Sequence, residues 1–227
     1  MIVNVNSSCN MVDKYTSADW QNAALLTIDT QNDFVHGNHN ESFAITAGAF
    51  EIVPRMRQLL HVFRAIHRPI FHVIRIYSPD GSNVDLCRRR AIADLGKGVV
   101  IAKTEGAELV QELKSPFDVK LDTELLLKGK LQQVGAKEWI IYKPRWGAFY
   151  RTALEKHLRK LKVNTVVICG CNFPNCPRTT VYEASERDFR VVLVKDATGN
   201  IYERGLYELS KIGVELVTAQ ECVSALK

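Results

Sequence analysis

A chain of 227 residues with 46% hydrophobic content is long enough for one large α/β domain, and it needs no dense disulfide framework to hold a core. Thirty basic against 25 acidic residues leave a formal charge of +5, spread along the chain; this suits an anionic small molecule and is weak evidence for a nucleic-acid partner. Six scattered cysteines, no charged leader before an apolar segment and no run of about 18 apolar residues set the expectation of a cytoplasmic protein with free thiols, off the membrane.

Residues 1–22 are polar and irregular and are expected to form an arm; residues 23–227 form the domain. The first strand runs from Ala23 to Ile28 and ends at Asp29. The turn-like DTQNDFVHGN that follows carries Gln31, Asp33 and Phe34. Across 48–66, Ile52, Met56, Leu59, Leu60, Phe63 and Ile66 recur at helical intervals, and Pro69 to Arg75 supplies a second strand, which makes a βαβ unit. A charged, turn-rich excursion follows, with a short helix expected near 85–93 and the run Arg88, Arg89, Arg90. Residues 106–127 show only short apolar patches.

Trp139 to Tyr142 reads as a third strand running into Lys143, and KPRWGAF then leads to a helix over 150–160. The fourth strand, Val163 to Cys169, stops at Gly170, and Cys176 follows a compressed turn at the start of a helix over 178–188. Residues 190–195, a helix over 202–212 and residues 214–218 complete the pattern. Alternation of β-branched runs with helices predicts a single α/β domain with a mostly parallel six-stranded sheet covered on both faces.

Asp29, Lys143 and Cys176 all fall at or just past the C-terminal ends of strands, and in a parallel sheet those ends share one rim. The residue types fit nucleophilic catalysis: a thiol to attack, a carboxylate to accept its proton, an ammonium to hold the charge. Each has a plainer reading as well, as a small core side chain, a turn residue and a surface cation. Gln31 and Asp33 are candidate supporting residues. Phe34, Trp146, Phe149 and Phe173 are candidates for an apolar substrate wall, and Arg75 or Arg145 for meeting a substrate carboxylate.

Three stretches, LLTIDTQNDF, KPRWGAF and the segment from Val166 to Gly199, resemble the isochorismatase-like cysteine hydrolases, a superfamily that includes nicotinamidases and carbamoyl-amide hydrolases. The resemblance implies a three-layer fold, a homo-oligomer, and a catalytic set of Asp29, Lys143 and Cys176. It also implies a cis peptide between Cys171 and Asn172, and an oxyanion hole made by the Asn172 and Cys176 N–H groups. Phe173, Pro174 and Pro177 depart from the family pattern and make the turn stiffer and less polar. The implied reaction is hydrolysis of a linear amide or carbamoyl C–N bond of a small molecule through a thioester. Vinyl-ether hydrolysis and a redox or binding role on the same scaffold stay open, although the Cys171 to Cys176 gap is not a CxxC. No cofactor is expected. Nicotinamidase relatives hold a metal with an aspartate and histidines after the second strand, where this chain has Asp80 and Asp85 but no histidine. His36, His39 and His72 lie in unlike contexts, and strand alternation points Cys169 and Cys171 away from a zinc tetrahedron with Cys176.

Overall fold

The computed structural model describes residues 13–36, 48–94, 98–114 and 119–227. Its strands are β1 (Ala23–Ile28), β2 (Ile70–Ile74), β3 (Gln132–Gly135), β4 (Glu138–Tyr142), β5 (Thr165–Gly170), β6 (Arg190–Thr198) and β7 (Glu215–Val217). The helices are α1 (Asn32–Val35), α2 (Ala49–Ala65), α3 (Arg89–Asp94), α4 (Thr123–Leu127), α5 (Leu154–Lys160), α6 (Cys176–Ser185), α7 (Glu203–Ser210) and α8 (Ala219–Ala225). All seven strands pair in one sheet of order β3-β4-β2-β1-β5-β6-β7. Six strands were expected. The seventh, β3, is a polar edge strand antiparallel to β4 with a bulge between Gln133 and Gly135, and it lacks the apolar alternation that marks a strand in sequence.

Side-chain alternation along the strands feeds two cores. Ala23 and Leu25 of β1 pack with Ile52, Met56, Leu59, Leu60 and Phe63 of α2 and with Cys222 and Val223 of α8. Ala24, Leu26 and Ile28 face the opposite way, onto Leu154 and Leu158 of α5, Val181 and Ala184 of α6 and Leu209 of α7. A period of two on the strands therefore produces three layers. Each fully buried aliphatic or aromatic side chain contributes about 1.5–3 kcal/mol of transfer free energy.

The arm expected over 1–22 lies outside the described residues up to residue 12. Over 13–22 the chain is tied to the domain, with the Ala18 N–H donating to Glu215 at 3.1 Å and Asn164 Nδ2 to Asp19 at 2.7 Å.

Four adjacent parallel strands, β4, β2, β1 and β5, end on one rim. The ladder continues one residue past each of two strands: the Asp29 N–H donates to Val73 O at 2.9 Å and the Lys143 N–H to Ile74 O at 3.0 Å. With β2 on one side of β1 and β5 on the other, chain order reverses at β1, where ligands of open α/β sheets bind. Gly170 ends β5 at a φ of 125°, and a Cβ there would sit 2.2 Å from Ile28 O, so glycine alone lets β5 close onto the end of β1.

Candidate active site

Asp29 and Lys143 are 114 residues apart in sequence, and Lys143 Nζ donates to Asp29 Oδ2 at 2.8 Å. Lys143 is fully enclosed and Asp29 nearly so. Asp29 adopts a left-handed φ of 53°, which turns it out of the strand line. Its second oxygen, Oδ1, is buried and has no partner of ordinary hydrogen-bond geometry among the described residues. Cys176 is the first residue of α6, followed by Pro177, whose missing N–H costs nothing in a first turn. Burial pushes the Cys176 thiol up, and so does the charge of Asp29; Lys143 and Arg75 pull it down, and a hydrogen-bond interaction with Asp29 raises it again. The three expected residues thus meet around one point, with the thiol in its protonated form beside a carboxylate.

The turn between β5 and α6 corrects one expectation. No cis peptide occurs among the described residues, so the Cys171–Asn172 bond is trans. A trans bond is the favoured form for a non-proline residue, and the change of direction is made instead by Asn172 at a φ of 62°, a region asparagine enters more readily than most. The turn is fixed by the Phe173 N–H to Gly199 O at 2.9 Å, Asn175 N–H to Asn172 O at 3.0 Å and Asn172 Oδ1 accepting from Asn200 Nδ2 at 3.0 Å. The N–H groups of Asn172 and Cys176 are not among these bonds.

Gln31 is a brace. Its Oε1 accepts from the Arg75 N–H at 2.9 Å, and its Nε2 donates to Arg75 O at 2.7 Å and Ala107 O at 2.6 Å. Asp33 acts further out, accepting from the Val100 N–H at 2.6 Å and holding the excursion down. Arg75 is buried near Asp29 and Cys176, and Arg145 and Trp146 line an open cavity of about 500 Å³. Thr179 and Glu183 also line it, three and seven residues past Cys176 and so on the same face of α6; Asp29, Lys143 and Cys176 are not among its lining residues. Phe34, Phe149 and Phe173 are placed in the cores instead. Phe149 packs on Phe189 with centroids 5.7 Å apart, and Phe173 sits edge-on to Tyr202 at 5.3 Å. A larger cavity of about 860 Å³ lies along α2 and is lined by none of the candidate residues.

Two residues escaped the sequence reading. Asp85, from the excursion, is buried and pairs with Arg75 Nη1 at 3.0 Å, and Tyr77 donates its hydroxyl to Asp85 at 2.9 Å. The apolar run of β2 gave no sign that a carboxylate ten residues past Arg75 folds back onto it.

The donor set does not suit a divalent metal of the kind that the resemblance to nicotinamidases implies. Asp85 is committed to Arg75, Asp80 accepts from the Ser82 N–H at 3.0 Å on the surface, and His72 is buried between Thr27 and Glu138. His36 lies by Glu112 at 3.9 Å, and His39 is outside the described residues. Among the described residues no three His, Cys, Asp or Glu side chains form a metal-binding group, and no helix is long and apolar enough to cross a membrane.

Residues 23–221 match the Isochorismatase domain family. The chain belongs to the isochorismatase family. A relative from Arabidopsis thaliana, named as a probable inactive nicotinamidase, is 32% identical over 209 residues, covering 89% of this chain and 95% of its own. The crystal structure of an isochorismatase family protein from Desulfovibrio vulgaris is 29% identical with a TM-score of 0.74, over 90% of this chain and 98% of that one. N-carbamoylsarcosine amidase from Thermoplasma acidophilum shares the fold, with a TM-score of 0.66 and 23% identity over 87% of this chain and 96% of its own. The three-layer, mostly parallel architecture is that of the isochorismatase family, whose members are generally hydrolases.

Proposed function

We propose that the protein hydrolyses a linear amide or carbamoyl C–N bond of a small molecule, with Cys176 as nucleophile, Asp29 as proton carrier and Lys143 as the charge that holds both. The observation that carries this reading is the buried Lys143 and Asp29 pair at 2.8 Å with the Cys176 thiol interacting with the same carboxylate.

In the resting site the thiol is neutral and Asp29 accepts from Lys143. A carbonyl carbon presented to the sulfur makes proton transfer productive: Asp29 takes the thiol proton as the S–C bond forms, and the carbonyl electrons move to oxygen. The Cys176 N–H stands at the positive end of the ten-residue α6 and is the first donor for that oxyanion; the Asn172 N–H is the second. The C–N bond then breaks, Asp29 returns the proton to the leaving nitrogen, and a thioester remains. Water, deprotonated by the same carboxylate, attacks the thioester carbon; the C–S bond breaks, and the proton returns to sulfur. The Arg145 and Trp146 side chains supply the wall along which the substrate enters.

The naming of one relative as inactive makes turnover itself the first question. A panel of linear amides and ureido compounds, read by ammonia release and by intact-protein mass, should give both product and a covalent adduct, and Cys176→Ala should lose both. Full turnover in Cys176→Ala would refute the covalent path and favour acid-catalysed vinyl-ether cleavage.

A further inference from the structure

We infer that Arg75 anchors a carboxylate carried by the substrate, and that Asp85 and Tyr77 are positioning residues that set its guanidinium for this task. The inference rests on the hydrolase reading and narrows it to acid-bearing amides, such as the monoamide of a short dicarboxylic acid or an N-carbamoyl amino acid.

Arg75 is the first residue past β2, between Asp29 past β1 and Lys143 past β4, and only 1% of it is exposed. Its backbone is clamped on both sides by Gln31, at 2.9 and 2.7 Å. Nη1 is fully engaged, with Asp85 Oδ2 at 3.0 Å, Oδ1 at 3.2 Å and Pro144 O at 2.9 Å. Tyr77 secures Asp85 from behind with its hydroxyl at 2.9 Å, and the guanidinium lies 5.7 Å from the Tyr77 ring centroid. The whole side chain is held, yet Nη2 is buried with no partner among the described residues.

A guanidinium donor buried without an acceptor is costly unless a ligand supplies one. The local charges say what kind. Lys143 is paired with Asp29, whereas Arg75 and Arg145, whose Nε lies 3.9 Å from Asp85, share one carboxylate. Glu183, the other carboxylate on the cavity wall, is turned to the Phe149 N–H at 2.8 Å. Arg145 is the weaker candidate, being half exposed and already donating to Pro144 O at 2.7 Å.

The probes are succinamate, which bears the carboxylate, and succinamide, its neutral counterpart. The wild type should favour succinamate in kcat/KM, and Arg75→Gln should cut that preference by roughly 10- to 100-fold, mainly through KM. Because Arg75→Gln strands Asp85, the neutral double variant Arg75→Gln/Asp85→Asn and the charge-keeping Arg75→Lys are measured beside it, with circular dichroism to verify folding. Asp85→Asn alone should weaken the preference less than loss of Arg75. Equal loss on both probes, or a wild type without preference for the acid, overturns the inference. Calorimetric binding of succinate separates this from the hydrolase reading: if neither amide is turned over, succinate should still bind the wild type at least roughly tenfold more tightly than Arg75→Gln. Equal or absent succinate binding overturns the anchor.

Discussion

Replacing Asp29 by Asn and, separately, Lys143 by Met should move the Cys176 thiol in opposite directions. In the intact protein the two groups are 2.8 Å apart and act on the sulfur in opposite directions. Asp29→Asn removes the charge that raises the thiol pKa and leaves Lys143 and Arg75, which lower it; Lys143→Met leaves the carboxylate unopposed by its nearest cation. A unit charge about 5 Å from the sulfur, at an effective dielectric constant of about 20, is worth about 3 kcal/mol, or about 2 pKa units. Iodoacetamide alkylation of Cys176, followed across pH by peptide-resolved mass spectrometry so that the exposed Cys87 is counted apart, reads the shift. Breaking a buried pair costs about 3–5 kcal/mol, so urea unfolding of each variant defines where the native baseline holds. The profile should move to lower pH in Asp29→Asn and to higher pH in Lys143→Met. Shifts of the same sign, or no shift in either, refute a thiol governed by this pair.

Two further predictions concern what holds the sheet together. Burial works to raise the pKa of Glu138, but hydrogen bonds and charge from Arg64 and His72 outweigh it and hold the carboxyl at about 2. The folded-state pKa is depressed, so the stabilisation is present above the unfolded value near 4.5 and is lost as pH falls through about 2. It amounts to about 3 kcal/mol, and urea midpoints should show this acid limb in the wild type and a flatter one in Glu138→Gln. Gly170→Ala places a Cβ 2.2 Å from Ile28 O at a φ of 125°, and should cost more than about 4 kcal/mol by urea unfolding; a loss below about 1 kcal/mol would refute the close approach of β5 to β1.

Six of the seven strands were legible because a strand buried on both faces must be apolar along its length, as in Ala23–Ile28 and Thr165–Gly170. Gln132–Gly135 was not, because an edge strand satisfies its backbone on one side only and its side chains meet water. The helix expected from 150 begins only at Leu154, since Arg151 takes a φ of 52° that no helix accommodates. Helix α8 was missed although its signal was in view: Thr218 and Glu221 form a reciprocal capping box. That Asp29, Lys143 and Cys176 lie on one rim was legible because strand ends in a parallel sheet share it, a rule that needs no contact information. Asp85 was not, because its role depends on how a 20-residue excursion folds over that rim, which neither periodicity nor turn residues encode. The cis bond came from resemblance alone, and Phe173, Pro174 and Pro177 already marked that turn as the place where the family pattern breaks.

The site's polar atoms divide into those the fold has used and those it has left over, and the division argues for binding rather than burial as their purpose. Asp29 Oδ2, Lys143 Nζ and Arg75 Nη1 each have protein partners at 2.8–3.0 Å, which fix the side chains that carry them. Asp29 Oδ1 and Arg75 Nη2, on those same fixed side chains, have no partner of ordinary hydrogen-bond geometry among the described residues. Desolvated groups of opposite sign normally find partners, because each one left unpaired costs about 1–3 kcal/mol. Here the cost falls on one acceptor and one donor on adjacent strand ends beside the thiol, the two groups that the proposed reading uses to receive a proton and to hold an anion. The Gln31 clamp on the Arg75 backbone and the Asp85 bridge to Nη1 fix the side chain that carries the unpaired donor.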